Sequence, residues 1–124
     1  MKKSILIWPI IAIMLLTSGC GLFGNQYEKD SIQAAESYVT SAYRREIGLA
    51  ADSLESEVVY SGEGQNKSEV YLIAVKCYAG NSAAAAYGVY CINGVKCGAT
   101  NMLPPGYDFD ENLEDLKALF GIVD

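Results

Sequence analysis

The four cysteines are the residues of this chain with the widest chemical capacity, and the sequence contains no histidine. Without histidine there is no Ser–His or Cys–His pair to activate a nucleophile, no imidazole general base and no histidine ligand for zinc. Catalysis would then depend on carboxylate, lysine or tyrosine side chains, and no local arrangement of these residues indicates a catalytic site. We therefore expect a protein that is not an enzyme.

Cys20 ends an N-terminal segment that has the composition of an export signal. Lys2 and Lys3 form a basic start, residues 5–16 form an apolar run interrupted only by Pro9, and Thr-Ser-Gly leads into Cys20. The apolar run is shorter than the roughly 20 residues that a membrane-spanning helix needs. A basic start, a short apolar run and a small-residue end together predict a signal peptide.

The stretch Leu-Leu-Thr-Ser-Gly-Cys that ends at Cys20 resembles the lipobox of bacterial lipoprotein precursors. Thr17 departs from the leucine that is usual three residues before the cysteine, and Leu16 lies one place earlier. The resemblance implies that the chain is cut before Cys20 and that the Cys20 thiol carries a diacylglycerol. The alternative is an uncleaved N-terminal anchor in which Cys20 is incidental.

A diacylglycerol on Cys20 would hold the protein at a membrane, because two acyl chains give stable anchoring where one does not. The expected location is the cell membrane or the outer membrane, with the domain outside the cytoplasm. In lipoproteins of Gram-negative bacteria, an aspartate after the lipidated cysteine commonly retains the protein at the inner membrane. Gly21 stands at that position here, so an outer-membrane location is not excluded. We expect no cofactor other than this covalent lipid.

Cys77, Cys91 and Cys97 fall on one face of the predicted sheet. Their spacing contains no C-x-x-C, which argues against redox and zinc sites. A disulfide between Cys77 and Cys91 is possible, since both lie on adjacent predicted strands facing one way and export favours oxidation. The alternative is three buried thiols that pack as small apolar side chains.

The stretch from Asp108 to Asp115 superficially resembles the opening of an EF-hand calcium loop. Its Asp-x-Asp-x-Asn spacing suits alternating oxygen ligands, but Leu113 replaces the glycine of the sixth place and Leu119 cannot supply the carboxylate of the twelfth. Carboxylates at the start of a helix explain the same residues through the helix dipole. We expect no metal site.

The periodicity of the remaining sequence predicts a helix, several antiparallel strands and a second helix. The first helix covers residues 30–47, with Asp30 as its cap and Gly48 as its stop, and its apolar face is formed by Ile32, Ala35, Val39 and Ala42. The last helix is capped by Asp108 or Asp110 and ends at Phe120 before Gly121. The predicted strands cover residues 57–60, 70–79, 87–91 and 95–99. Around Asn93-Gly94 a two-residue turn would put Cys91 opposite Lys96. We prefer a three-residue loop with a bulge at Gly94, which puts Val89, Cys91, Val95 and Cys97 on one face.

These elements predict an α+β fold with an N-terminal helix packed on an antiparallel sheet of about four strands and a short C-terminal helix. The layout is similar to cystatin-like or nuclear-transport-factor-like folds. The expected organisation is a signal peptide over residues 1–19, the lipidated cysteine and a flexible tether over 20–29, and one domain over 30–124.

The charge of the mature chain bears on its partners. Removal of residues 1–19 takes away two of the nine basic residues and none of the fifteen acidic ones, so the net charge becomes −8. Such a chain repels nucleic acid. We expect a non-catalytic binding or accessory domain, possible partners being envelope or secreted proteins. The alternative is a small-ligand carrier or hydrolase with a pocket between helix and sheet.

Six tyrosines fall on predicted strands or nearby loops: Tyr60, Tyr71, Tyr78, Tyr87, Tyr90 and Tyr107.

Overall fold

The computed structural model describes residues 22–122, so the segment that ends at Cys20 lies outside the described residues. These described residues form a four-stranded antiparallel sheet with the strand order β1-β2-β3-β4, one long helix and one short helix. This confirms the predicted α+β fold. The elements are α1 (Leu22–Ile47), β1 (Ser53–Glu63), a 3₁₀ turn (Gln65–Lys67), β2 (Glu69–Ala79), β3 (Ser82–Ile92), β4 (Val95–Ala99) and α2 (Leu113–Phe120).

The inner face of the sheet, defined as the face that packs on α1, holds the larger core. Ala35, Val39 and Ala42 recur at three- and four-residue spacing, so they line one side of α1 and are buried. The sheet contributes alternate residues of β2 and β3, because successive side chains of a strand point to opposite faces. These residues are Tyr71, Ile73, Val75, Cys77, Ala85, Tyr87, Val89 and Cys91.

The outer face of the sheet is covered by the chain that follows β4. Leu72, Ala74 and Ala86 are buried there beneath Phe109 and Leu116. Leu103 extends this cover, since its backbone N–H and C=O both bond to Ala86. The domain therefore has three layers, with α1 on one side of the sheet and the C-terminal segment with α2 on the other.

The start of α1 differs from the prediction of a flexible tether over residues 20–29. The helix already includes Leu22–Lys29, and Asp30, predicted as its cap, lies inside it. Gln26 donates a hydrogen bond from Nε2 to Asp30 Oδ1 at 2.9 Å, an i,i+4 contact that supports the helix here. Among the described residues, no helix is long and apolar enough to cross a membrane.

The β3–β4 hairpin has the shorter of the two turns considered, so the preferred three-residue loop is wrong. Ile92 pairs with Val95 and Cys91 pairs with Lys96, leaving Asn93-Gly94 as a two-residue turn. Both turn residues have positive φ angles, 50° and 82°, as a type I′ turn requires. The pairing then skips Cys97 between Lys96 and Gly98, so the irregularity lies in β4 and not at Gly94.

The helix stops were predicted correctly, whereas the start of α2 was not. Gly48 and Gly121 follow α1 and α2 with φ angles of 91° and 74°, which glycine adopts without steric cost. The first residue of α2 is Leu113, with Asn112 as its cap in place of the predicted Asp108 or Asp110. Asp108 instead stabilises the turn before the helix by accepting the Glu111 N–H at 2.9 Å.

Candidate binding grooves on the outer face of the sheet

An acidic groove lies on the outer face between β1 and the loop that precedes α2. It has a volume of about 600 Å³. Glu55 and Glu57 line it from β1, and Asp108 and Asp110 line it from the loop. Lys76 supplies a single ammonium against these four carboxylates, so the groove favours cationic ligands.

The floor of the acidic groove follows from small residues in one row of the sheet. Glu57 pairs with Ala74, and Ala74 pairs with Gly88. Phe109 packs over Gly88, where an added Cβ would lie 3.3 Å from the ring. Because Ala74 and Gly88 have little or no side chain, the Phe109 ring can pack closely against the sheet. The space between this ring and β1 stays open.

Aromatic side chains complete the acidic groove. Tyr107 and Phe109 both line it and stack edge to face with ring centroids 4.9 Å apart. Tyr78, one strand in from the edge, donates a hydrogen bond from its hydroxyl to Glu55 Oε1 at 2.8 Å. This bond raises the pKa of Tyr78 above its ordinary value and holds the Glu55 carboxylate in place.

A second, aromatic groove opens further along the outer face and has a volume of about 750 Å³. Tyr60 of β1 and Tyr90 of β3 line it. Tyr90 stacks on Phe120 with centroids 5.3 Å apart, and the Lys117 ammonium lies 4.7 Å from the centre of the Tyr60 ring. These contacts hold α2 against the sheet, so part of this groove results from the packing of the C-terminal layer.

Tyrosine side chains fill space between α1 and the sheet, where the alternative function of a carrier or hydrolase requires a pocket. Tyr71 and Tyr87 are buried in the core beneath α1. Tyr71 donates a hydrogen bond from its hydroxyl to Glu69 Oε1 at 2.9 Å. The buried Tyr87 hydroxyl has no hydrogen-bond partner among the described residues. These two rings act as core residues, whereas Tyr60, Tyr90 and Tyr107 line the grooves.

The disulfide between Cys77 and Cys91, one of the two alternatives left open by the sequence, does not fit the structure, because the register separates the two residues along the sheet. Cys91 pairs with Tyr71, six residues from Cys77 on the same strand. At about 3.3 Å per residue the two cysteines are roughly 20 Å apart, far beyond the 7 Å that a disulfide allows between Cα atoms. Cys77 and Cys91 are buried and Cys97 is exposed, and none of the three forms a disulfide within residues 22–122. The exposure of Cys97 corrects its predicted place on the buried face.

Burial of these thiols and tyrosines predicts a loss of stability at alkaline pH. Burial raises the pKa of Cys77 and Cys91 from 9.0 to about 11. It also raises the pKa of Tyr71 and Tyr87 to about 12. The folded state therefore holds these protons more tightly than the unfolded state, so their contribution to stability is complete below the unfolded pKa and is lost as pH rises through the folded one.

We expect the urea midpoint of unfolding to fall as pH rises from about 9 to about 11. The Cys77→Ala/Cys91→Ala double variant should show a shallower fall, measured by circular dichroism at each pH. Cys97→Ala, which removes an exposed thiol, is the matched control and should follow the parent. Equal slopes for the double variant and the parent would contradict the assignment to the buried thiols.

The acidic stretch from Asp108 to Asp115 does not form a calcium loop. Asp108 accepts the Glu111 N–H, Asn112 donates from Nδ2 to the Asp108 carbonyl at 2.8 Å, and the chain then enters α2. Over residues 22–122 no group of three or more histidine, cysteine or carboxylate side chains is placed to hold a metal ion. The absence of a metal cofactor stays a prediction.

The acidic groove brings together residues that the sequence does not connect. Alternating glutamates in Ser-Leu-Glu-Ser-Glu-Val were the available signal, since Glu55 and Glu57 fall on one side of a strand. The strand prediction began only at residue 57 and missed this pattern. Comparison of the chain with protein families, with curated proteins and with solved structures found no match.

Proposed function

We propose that this chain is a lipid-anchored lipoprotein of the bacterial cell envelope whose α+β domain is a non-catalytic binding or accessory domain outside the cytoplasm. The single observation that carries the anchor is the basic and apolar N-terminal segment that ends in Thr-Ser-Gly-Cys at Cys20. The helix α1, which begins two residues later at Leu22, would join the anchor directly to the domain.

The binding role is supported by the character of the two grooves. Both are open at the surface and combine aromatic rings with polar groups, as binding surfaces commonly do. The filled core between α1 and the sheet favours this role over a carrier or hydrolase with a pocket at that position. The raised pKa values of Cys77 and Cys91 keep these thiols protonated at neutral pH, where a thiol is a poor nucleophile. An envelope or secreted protein is the proposed partner, because the acidic chain repels nucleic acid.

The anchor is tested by substitution of the proposed lipidation site. In a bacterial host fed radiolabelled palmitate, we expect the parent chain to take up label and to partition into the detergent phase. Cys20→Ala should take up no label and remain at precursor mass, because the residue after the signal segment no longer has a thiol to receive the diacylglycerol. Retained label in Cys20→Ala would contradict the proposal.

Cys97→Ala is the matched control for this experiment. It removes a cysteine from an exposed position of β4, so it changes the thiol count equally without touching the N-terminal segment. We expect its label, mass and partition to equal those of the parent. Loss of label in both variants would indicate a general defect in export or expression and would contradict the assignment of Cys20 as the specific site.

A further inference from the structure

We propose that the free edge of β1 and the acidic groove beside it bind an extended, basic segment of another exported polypeptide, which joins the sheet as a fifth strand. The proposal deepens the proposed binding role, on which it rests, by naming the surface and the chemistry of the partner. The partner segment would carry lysine or arginine at alternate positions.

The edge of β1 offers backbone groups for such a strand. Within residues 22–122, β1 pairs with β2 only and stands first in the sheet order. Its pairing with β2 is regular from Ser53 to Val58 and shifts between Val58 and Tyr60. Outward N–H and C=O groups of an edge strand can bond to an added strand. The regular stretch of six residues is a typical length for a strand.

The side chains beside this edge set the charge of the partner. Glu55 and Glu57 project to the outer face from the regular stretch of β1 and line the acidic groove. Side chains directly opposite each other on adjacent strands lie about 5 Å apart, so alternate basic residues of an added strand would pair with these carboxylates. Asp108 and Asp110 lie across the same groove and would add to the attraction.

The groove also suits the length of basic side chains. Lysine and arginine have aliphatic stems that bury against apolar surface while the charged end stays in a polar environment. Val59 and Ala74 supply apolar surface in the groove, and the Tyr107 and Phe109 rings lie on its loop side. A cation near an aromatic ring gains further attraction.

A second copy of this chain is a poorer occupant of the edge. Antiparallel pairing of β1 with another β1 would bring glutamates of the two copies together, because Glu55 and Glu57 alternate along both strands. Like charges on neighbouring strands are destabilising. Both copies would also carry the same acidic surface, so the charge of β1 disfavours self-association and favours a basic partner.

The proposal is tested with the full exported chain in detergent and fluorescent eight-residue peptides that alternate lysine with valine. We expect saturable binding by fluorescence anisotropy that weakens as salt is raised, because opposite charges attract. A peptide with glutamate in place of lysine should not bind. A peptide of identical composition with its lysines contiguous should bind at least about tenfold more weakly, since it cannot place them in register.

Two variants locate the site. Glu57→Lys should weaken binding at least about tenfold, because it inverts a charge in the groove. Glu46→Lys makes the same change at an exposed position of α1 and should stay within about twofold of the parent, apart from the effect of net charge. Equal affinity of the two variants, or equal binding of the alternating and contiguous peptides, would overturn the proposal.

Backbone pairing is tested on the peptide, which avoids any effect on folding of the chain. N-methylation of one alternate set of peptide amides should abolish binding, and methylation of the other set should not, because only one set faces β1. Similar affinities of the two peptides would overturn strand addition. A sedimentation dimer that is strengthened by Glu57→Gln would assign the edge to a second copy instead.

These measurements test the lipid-anchor proposal and the strand-addition proposal independently. The Cys20→Ala chain should bind the alternating peptide as the parent does, since Cys20 is not part of the groove. Normal lipid labelling without peptide binding would leave the anchor standing and overturn the edge proposal. Peptide binding by a chain that takes up no lipid would overturn the anchor and leave the edge proposal standing.

Discussion

Leu72→Ala is expected to lower the free energy of unfolding by about 3 kcal/mol, a large share of the stability of a small domain. Leu72 is fully buried in the outer core, beneath the C-terminal layer. The shorter side chain loses the transfer free energy of the missing groups and leaves a cavity that the surrounding side chains cannot fill completely. Equilibrium urea unfolding, followed by circular dichroism, measures the change.

Leu49→Ala is the matched control for Leu72→Ala. It deletes the same atoms from a side chain that is 71% exposed just after α1. We expect its effect to stay within about 0.5 kcal/mol of zero, because an exposed leucine leaves no cavity. Similar effects of the two substitutions would show that the C-terminal segment does not cover the outer face of the sheet in solution.

Alkylation of the native protein should modify Cys97 quickly and Cys77 and Cys91 at least about hundredfold more slowly. Both slow thiols are fully buried, and their pKa of about 11 leaves little thiolate at pH 8. They can react only after the structure opens, and an opening free energy of about 3 kcal/mol already slows a reaction by about a hundredfold. Mass spectrometry of peptides at timed intervals measures the three rates.

The same peptides report on the state of the thiols. After unfolding without reductant, Cys77, Cys91 and Cys97 should all take up reagent, since none of them is in a disulfide in the part of the chain that the structure describes. Cys97→Ala should remove the fast phase and leave the slow one unchanged. A cross-linked peptide that contains Cys77 and Cys91 would contradict the register between β2 and β3.

Sequence patterns within a single helix predicted the features that depend on that helix alone. The spacing of Ala35, Val39 and Ala42 identified the buried side of α1, and Gly48 and Gly121 marked helix ends because their positive φ angles favour glycine. The tether prediction was wrong because residues 22–29 contain glycine and asparagine but still continue the helix into which they lead. Propensity is a weak guide at such boundaries.

Features that depend on how strands align were harder to predict. The preferred hairpin register came from placing Val95 and Cys97 on a buried face, but Val95 is 63% exposed and Cys97 lies in an irregular part of β4. The Asn-Gly pair favours the two-residue turn through local geometry. Lys96 then falls opposite Cys91 on the inner face, where its ammonium lies 4.4 Å from the centre of the Tyr38 ring.

The acidic groove could not be predicted because its walls come from distant parts of the chain. Glu57 and Asp108 are fifty-one residues apart, and they meet only because the segment after β4 crosses the outer face of the sheet. The path of that segment depends on the Phe109 ring fitting over Gly88. No local pattern in the sequence encodes such a contact.

The early start of α1 limits how far the domain can reach. One residue, Gly21, lies between Cys20 and Leu22, so these two residues are at most about 7 Å apart along the chain. Glu36 is fourteen residues further, about 20 Å along the helix axis, and accepts a hydrogen bond from Ser56 beside the groove. With about 10 Å across the sheet, a chain anchored at Cys20 holds its acidic groove within roughly 40 Å of the bilayer. A protein that diffuses in the same membrane would therefore meet the groove by a search in two dimensions, and a protein bound farther out in the envelope would need a segment that extends to within this distance.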